Sequence, residues 1–333
     1  MLGTRMRRVR TLVAGEIHRN GLTYLPQDLP RLQSLTATIM KHGDLSLTQS
    51  MESLQKFMNL RSVSITLRFD DTDFNKEVTI PELQFVESLR ISVEEGVGRD
   101  VADSLNFHVV LNSMPRIAIF AIEGDCDYTL SLGDNWNANG LLREISTNDI
   151  NCTYNNEDDD IIVENIIHPS KILRNCANRL SKLNMERCHD QKTMDAICGL
   201  AALESLSLRH IDDTVTFERL GELQKLQFLH IPTPPHPKLL TSIMTLPHLA
   251  TIGISAPYVS NLKSLLPLLR TDHPTLKYVS IELIKHSRIS VGELLILMLL
   301  NPYDNPTQSD GRPFYNAYIS CESGTWKWVV QYS

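Results

Sequence analysis

The chain has 333 residues, 42% of them apolar and 21% charged, a composition that excludes disorder for the bulk of its length. Its 32 Lys and Arg stand against 39 Asp and Glu, a formal charge of −7, and this acidic balance argues against a nucleic-acid binder, which needs a basic face to neutralise phosphates. The longest apolar run, residues 294–300, falls far short of the ~20 residues that span a bilayer, so no membrane partner is expected either.

At the N-terminus, Arg5, Arg7, Arg8 and Arg10 precede the first acidic residue, Glu16. With no serine among them and no apolar stretch behind them, they read as a basic capping helix and not as a targeting segment. Six cysteines with no C-x-x-C spacing are too sparse for a disulfide framework and offer no zinc site. A reducing, intracellular compartment, cytoplasmic or nuclear, is expected.

From Leu32 onward a phrase of the form apolar-x-x-apolar-x-apolar recurs. It reads Leu32-Gln-Ser-Leu35-Thr-Ala37, Leu60-Arg-Ser-Val63-Ser-Ile65 and Val86-Glu-Ser-Leu89-Arg-Ile91. Met114-Pro-Arg-Ile117-Ala-Ile119 and a weaker Leu142-Arg-Glu-Ile145-Ser-Thr147 follow. The second half supplies phrases starting at Leu180, Leu203, Leu226, Leu249 and Leu276. Successive starts lie 28, 26, 28, 28, 38, 23, 23, 23 and 27 residues apart. The last three positions alternate in-out-in, as a strand buried on one face requires.

Between phrases the spacing predicts helices: over residues 51–58, over a stripe of Leu105, Val109 and Leu111, and over residues 259–270. The long interval after Leu142 carries an acidic insertion near 151–165. Beyond residue 285, an apolar helix over 290–300 and a terminal strand around Trp326 and Trp328 are expected to cap the array, as residues 1–31 cap its start. One strand and one helix in each interval cannot bury an apolar face alone, but stacked neighbours can.

Asp71, Asp73, Asn75 and Glu82 occupy positions 1, 3, 5 and 12 of a calcium-loop pattern, but Lys76 stands where the turn needs glycine. They form the weak metal candidate, and no metal or cofactor is expected. No nucleophile elbow or phosphate-cradling glycine loop occurs, so no enzyme is expected.

The phrase L-x-x-L-x-L over residues 32–285, with Cys188 at the place of the motif's cysteine, resembles the leucine-rich repeat. Its irregular form is similar to the repeat regions of eukaryotic, fungal-type F-box proteins. The resemblance implies an α/β solenoid of about ten repeats, with a curved parallel sheet on the concave side and helices on the convex side. It also implies a protein-interaction module that captures substrates for a ubiquitin ligase. An F-box needs a helical module ahead of the array. Only 31 residues precede Leu32, so it is expected to be absent here, and a Skp-type adaptor becomes a partner if one lies upstream. The alternatives are a leucine-rich-repeat regulator such as a GTPase-activating protein, with Arg209 as its catalytic candidate, and a plain scaffold.

On such an array the residues between and after the last two apolar positions face the partner. They include Ala118 with Phe120, His230 with Pro232 and Gly253 with Ser255. Asn184, Glu186, Ser207, Arg209 and His230 fall on three evenly spaced phrases and form the expected partner-binding patch.

Overall fold

The computed structural model describes residues 6, 8–40, 47–69, 77–95, 105–109, 114–124, 128–132, 141–147, 169–232, 237–256, 273–283, 315–322 and 325–332. The architecture is α/β, with mostly parallel strands and few helices. The chain divides into two compact units, Met1–Leu180 and Ser181–Ser333.

The first unit holds β1 (Thr11–His18), β2 (Ser34–Met40), β3 (Ser62–Phe69), β4 (Glu77–Ile80), β5 (Ser88–Glu95), β6 (Leu105–Val109), β7 (Ile119–Gly124), β8 (Tyr128–Leu132) and β9 (Glu144–Thr147). Strands β1, β2, β3, β5, β7 and β9 lie side by side in that order, all parallel. The phrase sets the register. Leu35 pairs with Val63, Val63 with Leu89, Leu89 with Phe120 and Phe120 with Ile145, and all five are buried.

The second unit holds β10 (Lys182–Cys188), β11 (Ser205–Ile211), β12 (Phe228–Ile231), β13 (Thr251–Ala256) and β14 (Tyr278–Leu283), again parallel and in order. Leu183, Leu206, Leu229, Ile252 and Val279 form one row across them, each 0% exposed. Burying each such side chain contributes about 1.5–3 kcal/mol. The expected terminal strand is β16 (Thr325–Tyr332), antiparallel to β14, and β15 (Tyr315–Glu322) pairs with it in a hairpin.

A backbone device repeats at the entries to β2, β3, β5, β7, β9, β11, β12, β13 and β14. One carbonyl at the entry to the preceding strand accepts the N–H groups of two consecutive residues. Gln33 O receives Arg61 and Ser62, Arg61 O receives Glu87 and Ser88, and Glu87 O receives Ala118 and Ile119. In the second unit Ser181 O receives Glu204 and Ser205, Glu204 O receives Gln227 and Phe228, and Gln227 O receives Ala250 and Thr251. The residue three before each phrase is usually apolar and buried as well: Leu29, Phe57, Leu83 and Met114 in the first unit, Leu200, Leu223 and Leu246 in the second.

That extra apolar position corrects one expectation. The phrase placed at Met114 begins at Ile117, because Leu89 pairs with Phe120 and Ile91 with Ile122. Two consecutive apolar-x-x steps precede the strand, and an apolar Ile119 let the shorter phrase slip by three residues. A second correction concerns Leu105 and Val109, expected on a helix. They belong to β6, which joins β4 and β8 in a separate parallel sheet, with Val78 beside Phe107 and Phe107 beside Leu130. Three connections in this unit therefore carry strands.

Helices occupy other connections: α1 (Arg19–Asp28), α2 (Leu47–Glu52), α3 (Pro169–Asn175), α4 (Gln191–Cys198) and α5 (Pro237–Met244). The expected helix over 51–58 is the end of α2 continued by a 3-10 turn, Ser53–Lys56. The basic N-terminal stretch leads into β1, whose Leu12 pairs with Leu35, so the sheet begins one strand before the first phrase. Among the described residues no helix is long and apolar enough to cross a membrane. The insertion near 151–165, the helices expected over 259–270 and 290–300, and Asp71, Asp73 and Asn75 lie outside the described residues.

Candidate functional site

Because strand residues alternate between faces, burying the apolar positions leaves those between them in rows on the opposite face. In the second unit, the register makes Asn184, Ser207, His230, Gly253 and Ser280 one such row. Of the expected patch, Asn184, Ser207 and His230 are thus brought together and half-buried, while Arg209 is exposed two residues along β11. Glu186 lies on β10, and its side chain is outside the described residues.

His230 is the centre of this row. Its Nδ1 lies 3.2 Å from Ser207 Oγ, and its Nε2 lies 2.7 Å from Ser255 Oγ on β13. A neutral imidazole donates at one nitrogen and accepts at the other, and a hydroxyl can do either, so both contacts are satisfied together. Gly253 makes the reach possible: a Cβ there would stand 2.9 Å from His230 Cδ2. The result is a histidine held at both nitrogens across three strands.

The row one step earlier is Ser205, Phe228, Thr251 and Tyr278. Phe228 and Tyr278 keep 37% and 39% of their surface exposed, on strands separated by β13. Sequence reasoning missed both. The signal was present, since alternation carries the exposed face backward from the strand's first apolar residue as well as forward. Pro232, expected beside His230 on this face, is buried.

The first unit presents a different chemistry. Ser34, Thr36 and Thr38 on β2 stand beside Ser62, Ser64 and Thr66 on β3, and Ser88, Arg90 and Ser92 on β5 follow. Eight of these nine positions carry hydroxyls. The ninth, Arg90, donates through Nη2 to Glu144 Oε1 at 3.0 Å, and the Glu144 side chain is only 13% exposed. Ser146 donates to Glu123 beside this pair. Ala118 and Phe120, expected on this face, are not on it as read. Phe120 is core at 1% exposure, and Ala118 is a strand-entry residue whose carbonyl accepts from Arg143 and Glu144. The register assigns Ala121 and Glu123 instead.

Below the strands of this unit, Phe57, Met58, Leu83 and Phe85 line an open groove of about 330 Å³. Arg116 lies over the Phe85 ring at 5.5 Å.

Glu82, the last member of the weak calcium pattern, is exposed and accepts from Gln84 at 3.3 Å. Among the described residues no three His, Cys, Asp or Glu side chains cluster as a metal site would require. Cys176, Cys188 and Cys198 are buried, and burial pushes each thiol up to about 12, so none of the three is a thiolate at neutral pH. These cysteines fill space as small apolar side chains do.

No protein-family model matches this chain, and no curated protein matches it.

Proposed function

We propose that the chain is a non-enzymatic protein-interaction module, built as an irregular leucine-rich-repeat solenoid of about ten repeats. The observation that carries this reading is the exposed strand face itself. Successive phrases set small polar residues and two aromatics in rows with ~4.8 Å between strands. Such rows offer area, hydrogen bonds and aromatic anchors to a protein surface.

The patch of Asn184, Glu186, Ser207, Arg209 and His230 is the contact centre, and Phe228 and Tyr278 extend it. Resemblance to the repeat region of F-box proteins makes substrate capture for a ubiquitin ligase the role to test first. A second reading, regulation of a GTPase, draws on one observation: Arg209 is exposed and makes no ion pair among the described residues. A free guanidinium is what such a regulator would insert.

The test is a binding assay on the full chain with a purified Skp-type adaptor, alongside nucleotide turnover with candidate GTPases. Adaptor retention that survives Arg209→Ala and Phe228→Ala supports a ligase role that keeps this face free for substrate. Stimulated hydrolysis abolished by Arg209→Ala would overturn the non-enzymatic reading. A protein captured as substrate, as distinct from the adaptor, must lose at least tenfold in affinity with Phe228→Ala or Arg209→Glu; unchanged affinity in both moves the contact off this face.

A further inference from the structure

The position three before each phrase is apolar in most described repeats, and in the second unit Leu200, Leu223 and Leu246 are each at most 1% exposed there. In the last of these repeats the same position holds His273, at 8% exposure. A titratable ring thus stands in a column that its neighbours fill with leucine.

The ring's bonds are specific. Its Nδ1 accepts from the Thr275 backbone N–H at 3.4 Å, with the Thr275 hydroxyl oxygen also 3.4 Å away, and the neutral ring then carries its proton on Nε2. That Nε2 is fully buried and has no hydrogen-bond partner. Thr275 in turn donates its hydroxyl to Leu249 O at 3.0 Å, and the turn leads through Leu276 into β14. There Lys277 and Tyr278 donate to Ala250 O.

We propose that His273 is an acid-sensitive latch on the entry to β14. Protonation adds a proton at Nδ1, so the acceptor that faces the Thr275 N–H becomes a donor, with only the Thr275 hydroxyl oxygen, 3.4 Å away, to receive it. The same step sets a positive charge in an apolar column, and the turn opens to hydrate it.

The surroundings agree with that direction. Burial lowers the ring's pKa below the ordinary histidine value, and the nearby backbone of Ile243 and Leu246, at the end of α5 and just beyond it, offsets this only in part. Neither carbonyl meets hydrogen-bond geometry with Nε2. The titratable groups on the packed elements are Lys238 on α5, His248 in the next turn and Lys277 at the strand entry. The latter two are exposed. No charged side chain among the described residues enters the balance at His273. Asp272, its neighbour in sequence, lies outside the described residues.

The sign follows from proton uptake. Because the closed state has the lowered pKa, the open state binds more protons between that value and the ordinary ~6.5. The latch is shut above this window, and opening rises by up to about tenfold for each pH unit of descent through it.

The experiment is amide hydrogen exchange on the full chain from pH 7.5 to 5.0, corrected for intrinsic rates, together with an NMR titration of the His273 ring. The expected result is faster exchange at Thr275 to Tyr278 on acidification and ring titration below the ordinary histidine range. His273→Asn keeps an acceptor for Thr275 and His273→Leu restores the column; both should flatten the acid response. Exchange that does not change with pH, or an acid response that persists in either variant, overturns the latch. If neither variant folds, ring titration in the unaltered chain at or above ~6.5 overturns it instead.

Discussion

Gly253 has no side chain, and for that reason the His230 ring can lie across β13 and reach Ser255. Adding one methyl group forces the ring to swing away. Ser255 is 3% exposed, so its hydroxyl then loses its partner in a place water does not reach easily. Leaving a buried hydroxyl unpaired costs about 1–3 kcal/mol. Gly253→Ala should therefore lower stability by about that amount in denaturant unfolding. Gly15→Ala is the internal control: nothing stands within 4 Å of its Cβ, and its effect should stay within ~0.5 kcal/mol. Equal effects from the two substitutions would mean that the histidine bridge contributes no stability. The identity of this site was half legible. Ser207 and His230 could be placed in one row from the phrase spacing, but the bridge to Ser255 depends on an absent side chain, which no pattern of apolar residues encodes.

At the level of elements, α4 shows how a short helix holds its place between strands. Asp190 stands at its N-cap in extended conformation and accepts from Thr193 N at 2.8 Å and from the Thr193 hydroxyl at 2.8 Å. Behind it, Gln191 bonds the backbone of Thr216 in the next connection, accepting at 2.7 Å and donating at 3.2 Å. A helix of eight residues has little stability of its own, so the cap counts. Asp190→Ala should cost about 1 kcal/mol, and Asp190→Asn a fraction of that, with faster amide exchange confined to α4. Uniform loss of protection across the second unit would refute a local role for the cap.

Elements were also where sequence reading failed. Leu105, Phe107 and Val109 alternate with Asn106 and His108, a strand period, yet Leu105 and Val109 also satisfy a helical spacing. Segments this short fit both periods, and the pairing with β4 and β8 decided it. β1 went unread because Leu12 and Ala14 are followed by a register irregularity between Ala14 and Glu16, which breaks the phrase.

Taken across the chain, the strand rows were legible because the same apolar positions recur whatever lies between them. The buried face follows from those positions alone. The exposed face does not, since it depends on which residues the register sets side by side. Hence alternation could mark Phe228 and Tyr278 as exposed, but which residues of the hydroxyl-rich field and of the aromatic pair stand side by side became visible only with strand pairing. Their chemistries also differ: the charges beside the hydroxyl rows are the Arg90–Glu144 pair and Glu123, which accepts from Ser146, whereas the second face carries Arg209, which makes no ion pair among the described residues.

The forked carbonyl contact at these nine strand entries has a consequence for engineering. It measures nothing of the distance travelled: intervals of 23 and of 28 residues close with the same two bonds. The chain is thus punctuated and not metered, and whole clauses should be removable. Excising residues 203–225 joins Ala202 to Leu226, puts Leu200 three places before it, and offers the N–H groups of Gln227 and Phe228 to Ser181 O. That shortened chain should keep a cooperative thermal transition and its strand signal in circular dichroism. Excising only residues 203–214 deletes a strand without supplying its successor, and should abolish the transition. If both deletions melt alike, strand entry is not what sets the spacing of the chain.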